Sequence, residues 1–181
     1  MVFPASPFEA EGWLITGSRH GVYEKHSFIK PLEKFIRKIE KEKIPLLGIC
    51  FGHQIIAQAL GGKVEKFSGG WSVGVQEYNW DGESMYLNAW HQDQVIKKPE
   101  KAKVLAENSF CKYAALSYGN TILTTQPHPE FTHEVIKGLV ETRGKGRVPE
   151  NLLKEALSNF DMEVSLNEIV NKFSTLLHGG R

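Results

Sequence analysis

The chain has 181 residues, of which 41% are hydrophobic and 24% charged, enough apolar surface for a single core and too little length for a large multidomain enzyme. Its 22 Lys+Arg balance 21 Asp+Glu to a formal charge of +1, which excludes the electrostatic footprint of a nucleic-acid or anionic-membrane binder. No apolar run approaches the roughly 18 residues of a spanning helix, and the N-terminus lacks a secretory pattern, so a soluble cytoplasmic protein is expected. Cys50 and Cys111 alone cannot form a disulfide framework, which fits a reducing compartment and directs attention to what surrounds each cysteine.

In chain order, Gly12 to Gly17 (GWLITG) reads as a short buried strand delivering a loop, Gly17 to Tyr23, at its C-terminal end. From Ser27, Phe28, Ile29, Leu32, Phe35, Ile36 and Ile39 recur at helical spacing, with Lys and Glu opposite. Ile44 to Ile49 gives a second buried strand; Ile55, Ile56, Ala59 and Leu60 give a helix stopped by Gly61-Gly62. This alternation predicts an α/β fold with an open, mostly parallel sheet and flanking helices. From Lys63 to Thr125 the period shortens to strand-like pieces (KVEKF, SVGVQEY, SMYLN, KVLAEN, YAALSYG, TILTTQ) that either extend the sheet or form a hairpin layer. Helices are predicted over Glu134 to Thr142 and Glu150 to Phe160, separated by a Gly/Lys/Arg turn at Gly144 to Arg147. A last helix opens with a capping-box pattern at Ser165 and Glu168 and presents Ile169, Phe173, Leu176 and Leu177 to the core.

Leu47-Gly48-Ile49-Cys50-Phe51-Gly52-His53-Gln54 sets a nucleophile-type residue between a strand and a helix, with a glycine two residues to either side. That is the glycine-x-nucleophile-x-glycine elbow with Cys in place of Ser: the sharp turn exposes the nucleophile, and the glycines let neighbouring backbone pass close by. The following helix directs its positive dipole end at the sulfur, which favours a thiolate, and makes the Phe51 N–H a natural oxyanion donor. Downstream, Gln126-Pro127-His128-Pro129-Glu130 follows an apolar strand, and each proline holds the preceding residue extended. Residues i and i+2 then share a side, so the Glu130 carboxylate can orient the His128 imidazole as a Cys-His pair requires. Parallel strands present their C-terminal ends on one edge, which lets Cys50 and His128 meet although 78 residues separate them.

GICFGHQ and PHPE, supported by ITGS and HQDQV, resemble class I glutamine amidotransferase domains over roughly residues 12 to 140. The resemblance implies a flavodoxin-like three-layer α/β fold and a Cys50-His128-Glu130 triad that hydrolyses a γ-glutamyl amide through a glutamyl thioester. It also implies that the Gly17-Ser18 loop donates the second oxyanion N–H, and that Gln54 and the stretch Ser68, Gly69, Gly70, Trp71 hold the amino-acid end of the substrate. His91 and Asp93 are candidates for the substrate side of the cleft, and Arg19 for a substrate carboxylate. The overall pattern is similar to free-standing proteins related to the amidotransferase domain of GMP synthetase, some of which act as γ-glutamyl hydrolases or peptidases. Residues 1–143 are expected to form this domain and 144–181 a helical extension packed on it.

The family opens with a strand and a helix before the ITGS-like loop, whereas only eleven residues precede Gly12 here. A missing first β-α unit would leave a shortened sheet edge, and lowered stability or self-association into a homo-oligomer is expected. The expected partners are a small γ-glutamyl substrate, glutamine or a conjugate, and a synthetase or other ammonia acceptor; no cofactor and no metal are implied. Two rivals stand beside this reading: a metal site built from Cys50, His53, His91 and His128, and a binding module or partner subunit that keeps the fold without turnover. Cys111 and Trp13, Trp71, Trp80 and Trp90 read as packing, Trp71 being set apart by its place after the Ser68 to Gly70 loop, while His20, His26, His133 and His178 show no constellation.

Overall fold

The computed structural model describes residues 3–159 and 162–178. After a 3-10 turn at Pro7–Glu9, the elements run β1 (Trp13–Ile15), α1 (Ile29–Lys41), β2 (Leu46–Ile49), α2 (Phe51–Ala59), β3 (Lys63–Lys66), β4 (Ser72–Trp80), β5 (Glu83–His91), β6 (Asp93–Lys97), β7 (Ala102–Glu107), β8 (Ala115–Tyr118), β9 (Ile122–Thr125), α3 (His133–Leu139), α4 (Glu150–Ser158) and α5 (Leu166–His178). Among the described residues the main sheet has seven strands in the order β1-β2-β9-β8-β7-β4-β5, and β3 pairs with β6 alone.

The α/β class with flanking helices is as expected, but the sheet is mixed rather than mostly parallel. β1-β2 and β2-β9 are parallel, and every pairing from β9 outward to β5 is antiparallel. The reason lies in the connections: α1 crosses over between β1 and β2, whereas the tight turns joining β4 to β5 and β8 to β9 fit only antiparallel neighbours. The strand-like pieces between Lys63 and Thr125 thus extend the sheet, apart from KVEKF, whose partner β6 carries the DQV of the HQDQV motif.

The central strands are covered on both faces. Leu46 and Ile122 join the core formed with α1 and α2, while the next residues along, Leu47 and Leu123, join the opposite core with Ile169 and Phe173 of α5. This is the alternation of a pleated strand with apolar layers above and below. The apolar stripe read from α1 is the face it buries, with Ile36 and Ile39 fully inaccessible and Phe35 meeting Trp13 edge to face at 5.0 Å. β1 forms one border of the sheet, with Leu14 53% exposed.

α3 runs into a π turn at Val140–Gly144, which places the Gly/Lys/Arg segment where the predicted turn lay. α4 crosses β4, where Gly74 has φ +74 and the Cα and Cβ of Ala156 lie 2.8 Å from where a Gly74 Cβ would stand. Ser165 departs from the capping-box reading: its N–H donates to the Tyr86 carbonyl at 2.7 Å and its hydroxyl accepts from the Tyr86 N–H at 3.2 Å. A strand edge with exposed backbone groups outcompetes the helix for this side chain, and α5 is thereby docked on β5. Phe160, the expected end of α4, and the side chain of Leu177 lie outside the described residues.

Gly74→Ala combines left-handed backbone strain with overpacking against Ala156, and should destabilise the protein by about 2–4 kcal/mol. Urea denaturation measures this; an unchanged midpoint would mean that α4 does not sit so closely on β4.

Candidate active site

Cys50 stands where β2 hands over to α2. Its backbone has φ 52 and ψ −102, a region L residues rarely occupy, and it is the N-cap of α2. Two contacts hold this conformation: the Cys50 N–H donates to the Thr125 carbonyl at 2.9 Å, and the Cys50 carbonyl accepts from the Gln54 N–H at 3.0 Å. The flanking glycines have the steric role read from the motif. A Cβ on Gly52 would lie 1.9 Å from the Ile15 carbonyl oxygen, and one on Gly48 would lie 2.6 Å from Ile56 Cδ1 and 2.8 Å from the Gly52 carbonyl carbon.

The parallel register of β2 and β9 pairs Ile49 with Thr125, so Cys50 and Gln126 leave the sheet on the same edge. Two residues on, His128 forms an isolated antiparallel bridge with Asn88 of β5. Its N–H donates to the Asn88 carbonyl at 2.8 Å, and Asn88 Nδ2 donates to the Phe131 carbonyl at 2.9 Å. Phe131 stacks on the imidazole at 3.8 Å and 8°. The ring is thus fixed from two sides, with its Nδ1 2.7 Å from Glu130 Oε1.

Burial alone would lower the His128 pKa, but hydrogen bonds and charge interactions with Cys50 and Glu130 outweigh it and hold the group up to about 9. The imidazole therefore stands beside the Cys50 thiol and is bonded to the Glu130 carboxylate. Gly17 lies against this pair: a Cβ there would be 3.1 Å from His128 Cε1 and 3.8 Å from Cys50 Cβ.

These residues open into a cleft of about 570 Å³. Gly17, Ser18, Cys50, Gln54, Trp71, His91, His128 and Glu130 line it, and Phe51 is the first residue of the helix behind the sulfur. Ser68, Gly69 and Gly70 do not line the cleft; the Gly70 N–H closes a turn on the Phe67 carbonyl at 3.2 Å, and only Trp71, packed on Trp90, reaches the wall. Gln54 is buried, and its amide donates to the Asp93 carbonyl at 2.9 Å and to Gln126 Oε1 at 3.0 Å, tying β6 to the end of β9. Burial pushes the His91 pKa down to about 3, helped by the charge of His128, so His91 is a neutral imidazole in the wall.

His53 is also fully buried, bonded through Nδ1 to Thr124 Oγ1 at 2.8 Å, and burial pushes its pKa down to about 3. Among the described residues Cys50, His53, His91 and His128 do not bring three ligand atoms within 4.8 Å of one another. Cys111 is buried and its thiol is pushed up to about 12 by that burial, consistent with packing.

Asn88 and the cationic residues Lys66, Arg143 and Arg147 of the cleft carry no signal in the sequence. Asn88 is joined to the His128 loop only across strands, 40 positions earlier in the chain, and no local pattern marks it. Arg143 and Arg147 reach the cleft from the segment after α3, and Lys66 from the end of β3.

A strained cysteine at a strand-to-helix elbow thus shares one cleft with a histidine and a carboxylate from the segment that follows the neighbouring parallel strand. The chain belongs to the class I glutamine amidotransferase family, whose model matches residues 9–141. It is 30% identical over 178 residues to gamma-glutamyl peptidase 4 of Arabidopsis thaliana, covering 90% of this chain and 69% of that protein. It is 38% identical over 112 residues to a subunit of the glutamine-hydrolysing GMP synthase of Sulfurisphaera tokodaii, covering 54% of this chain and 59% of that one. In structure it superposes on a glutamine amido transferase from Methylobacillus flagellatus with a TM-score of 0.81 over 98% of this chain and 78% of the other, at 18% identity. Among the described residues no helix is long and apolar enough to cross a membrane.

Asn88→Ala removes the donor to the Phe131 carbonyl in a fully buried position. It should cost about 1–3 kcal/mol in thermal or urea unfolding and slow the alkylation of Cys50 by iodoacetamide. Unchanged stability and reactivity would show that Asn88 does not hold the His128 loop.

Proposed function

We propose that the protein hydrolyses a γ-glutamyl amide through a glutamyl thioester on Cys50. The observation that carries this reading is the His128 ring held between the Cys50 thiol and Glu130 at the edge of an accessible cleft. The sulfur attacks the γ-carbonyl carbon while the charged His128 holds the proton that the thiol has given up, and the oxyanion that forms meets the Phe51 N–H and the Gly17-Ser18 backbone. The protonated His128 then gives its proton to the leaving nitrogen as the carbon–nitrogen bond breaks. Water, deprotonated by the now neutral His128, attacks the thioester; the carbon–sulfur bond breaks, glutamate leaves, and His128 keeps the proton taken from water, which restores the starting pair. Glu130 keeps the ring oriented in both halves and stabilises its charged form.

His91, Trp71 and Gln54 form the wall assigned to the amino-acid end of the substrate. A neutral His91 offers one donor and one acceptor there, at no cost in buried charge.

The second reading concerns the leaving group. The cleft is lined by Arg19, Lys66, Arg143 and Arg147 as well as by Glu24, Asp93 and Glu130, so it offers more room and more cationic groups than free glutamine needs. This supports a γ-glutamyl peptide bearing a further carboxylate, in keeping with the gamma-glutamyl peptidase that matches 90% of the chain. The alternatives are release of ammonia from glutamine to a synthetase partner, as the name of the GMP synthase relative suggests, and a binding module without turnover.

Glutamate release from γ-glutamyl peptides should exceed that from glutamine, and Cys50→Ala should lower it by about 10³-fold or more without altering the melting curve. Preference for glutamine would assign an ammonia-supplying amidotransferase, and turnover by Cys50→Ala would remove the covalent mechanism. The His128 proton also sets the pH profile. Because the imidazole stays charged up to about pH 9 and is the acid for the leaving amine, the rate should fall above that pH. Glu130→Gln withdraws a stabiliser of the imidazolium, so the alkaline limb should move to lower pH. A limb that stays in place would mean that Glu130 does not tune His128.

A further inference from the structure

Beside the thiol site, the loop between β1 and α1 carries a second cluster that plays no part in the proposed hydrolysis. Among the described residues, His20, Glu24 and His26 are the one His/Cys/Asp/Glu group whose ligand atoms all lie within 4.8 Å of one another. Two imidazoles converge on a single carboxylate oxygen: Glu24 Oε2 is 3.5 Å from His20 Nδ1 and 2.6 Å from His26 Nε2. Neighbouring ligand atoms around a four-coordinate zinc, with bonds of about 2.0–2.1 Å, are about 3.3 Å apart, so a small outward shift of Glu24 admits the ion. The donor set itself, two nitrogens and one carboxylate oxygen, is that of a zinc site with an open fourth position.

The cluster is also held in place. The rings of His20 and His26 lie 4.1 Å apart, and the Phe28 ring stacks on His26 at 5.7 Å and meets His20 edge-on at 5.9 Å. At the near end the Glu24 N–H donates to the Gly21 carbonyl at 3.1 Å, and at the far end the Ile29 N–H donates to the His26 carbonyl at 3.2 Å, fastening the loop to the start of α1. In between, Val22 is buried with its carbonyl bonded to Gln58 Nε2 at 2.9 Å, and the Tyr23 hydroxyl donates to Asp93 at 3.1 Å. The basic group beside the cluster, Arg19, meets His20 at Nε2 at 3.5 Å and so leaves Nδ1 to face Glu24.

We propose that His20, Glu24 and His26 bind one divalent transition ion of the zinc type at the mouth of the catalytic cleft. His20 and Glu24 line that cleft, and Glu24 and His26 line the adjoining cavity over Val22 and Gln58, so the ion stands between the two. Bound there, it cross-links the loop that begins with Gly17 and Ser18 and leaves one coordination position facing solvent or substrate.

Binding is tested on the full chain carrying Cys50→Ala, so that the catalytic thiol contributes no ligand and the result does not depend on turnover. Titration with Zn²⁺ against a chromophoric chelator, and with Co²⁺ read by its visible absorption, should give one equivalent of metal, with the intense bands of a four-coordinate cobalt site. Adding His20→Ala and His26→Ala should weaken binding at least a hundredfold, and Glu24→Gln, which keeps the shape, at least tenfold. Metal-free melting curves of these surface variants should match the parent. Failure of the Cys50→Ala protein to take up one equivalent, or binding undiminished in either the double histidine variant or Glu24→Gln, overturns the proposal.

Discussion

The register between β2 and β9 is the constraint on which the site depends. Pairing Ile49 with Thr125 in parallel brings the ends of two strands, far apart in sequence, to one edge, and the bond from the Cys50 N–H to the Thr125 carbonyl sets the height at which the elbow begins. A parallel strand pair covered on both faces has little freedom to slip, because a one-residue shift would exchange Leu46 with Leu47, and Ile122 with Leu123, between two separate cores. The geometry of the candidate site therefore rests on the apolar packing of the two strands beneath it.

Around that register the local backbone is strained, and the strain is held from outside. Cys50 keeps its left-handed φ because α2 begins immediately after it and because Gly52 allows the helix to lie against the Ile15 carbonyl, closer than any side chain permits. His128 is clamped between Asn88, Phe131 and Glu130, so little reorganisation separates the resting site from one able to transfer a proton. Electrostatics follow from placement: burial disfavours charge on His91 and His53, while for His128 the neighbouring thiol and carboxylate reverse that preference.

What was legible in the sequence is what chain-local rules encode. The elbow could be read because glycine spacing, strand and helix all fall within a dozen residues, and the His128-Glu130 contact because two prolines fix the intervening backbone. The apolar stripe of α1 and the buried β2 were equally plain. The antiparallel half of the sheet was not, since a run such as KVLAEN carries strand periodicity but says nothing of its neighbour's direction. DQVIK, too short and polar to stand out, became β6 only by pairing with β3. Asn88, the cationic wall and the docking of Ser165 on Tyr86 arise across elements and left no local trace. The expectation for Ser68 to Gly70 came from resemblance alone, and there the chain closes a turn on the Phe67 carbonyl, with Trp71 the residue of that stretch that lines the cleft. His20, Glu24 and His26 sit in a loop, where no helical or strand period relates their side chains.

The central claim is that a γ-glutamyl group passes through the sulfur of Cys50. Acid quenching during turnover of a γ-glutamyl peptide, followed by peptide mass mapping, reads this directly. A γ-glutamyl adduct is expected on the peptide that contains Cys50. Steady glutamate release with no adduct there, or with the label on Cys111, would contradict it.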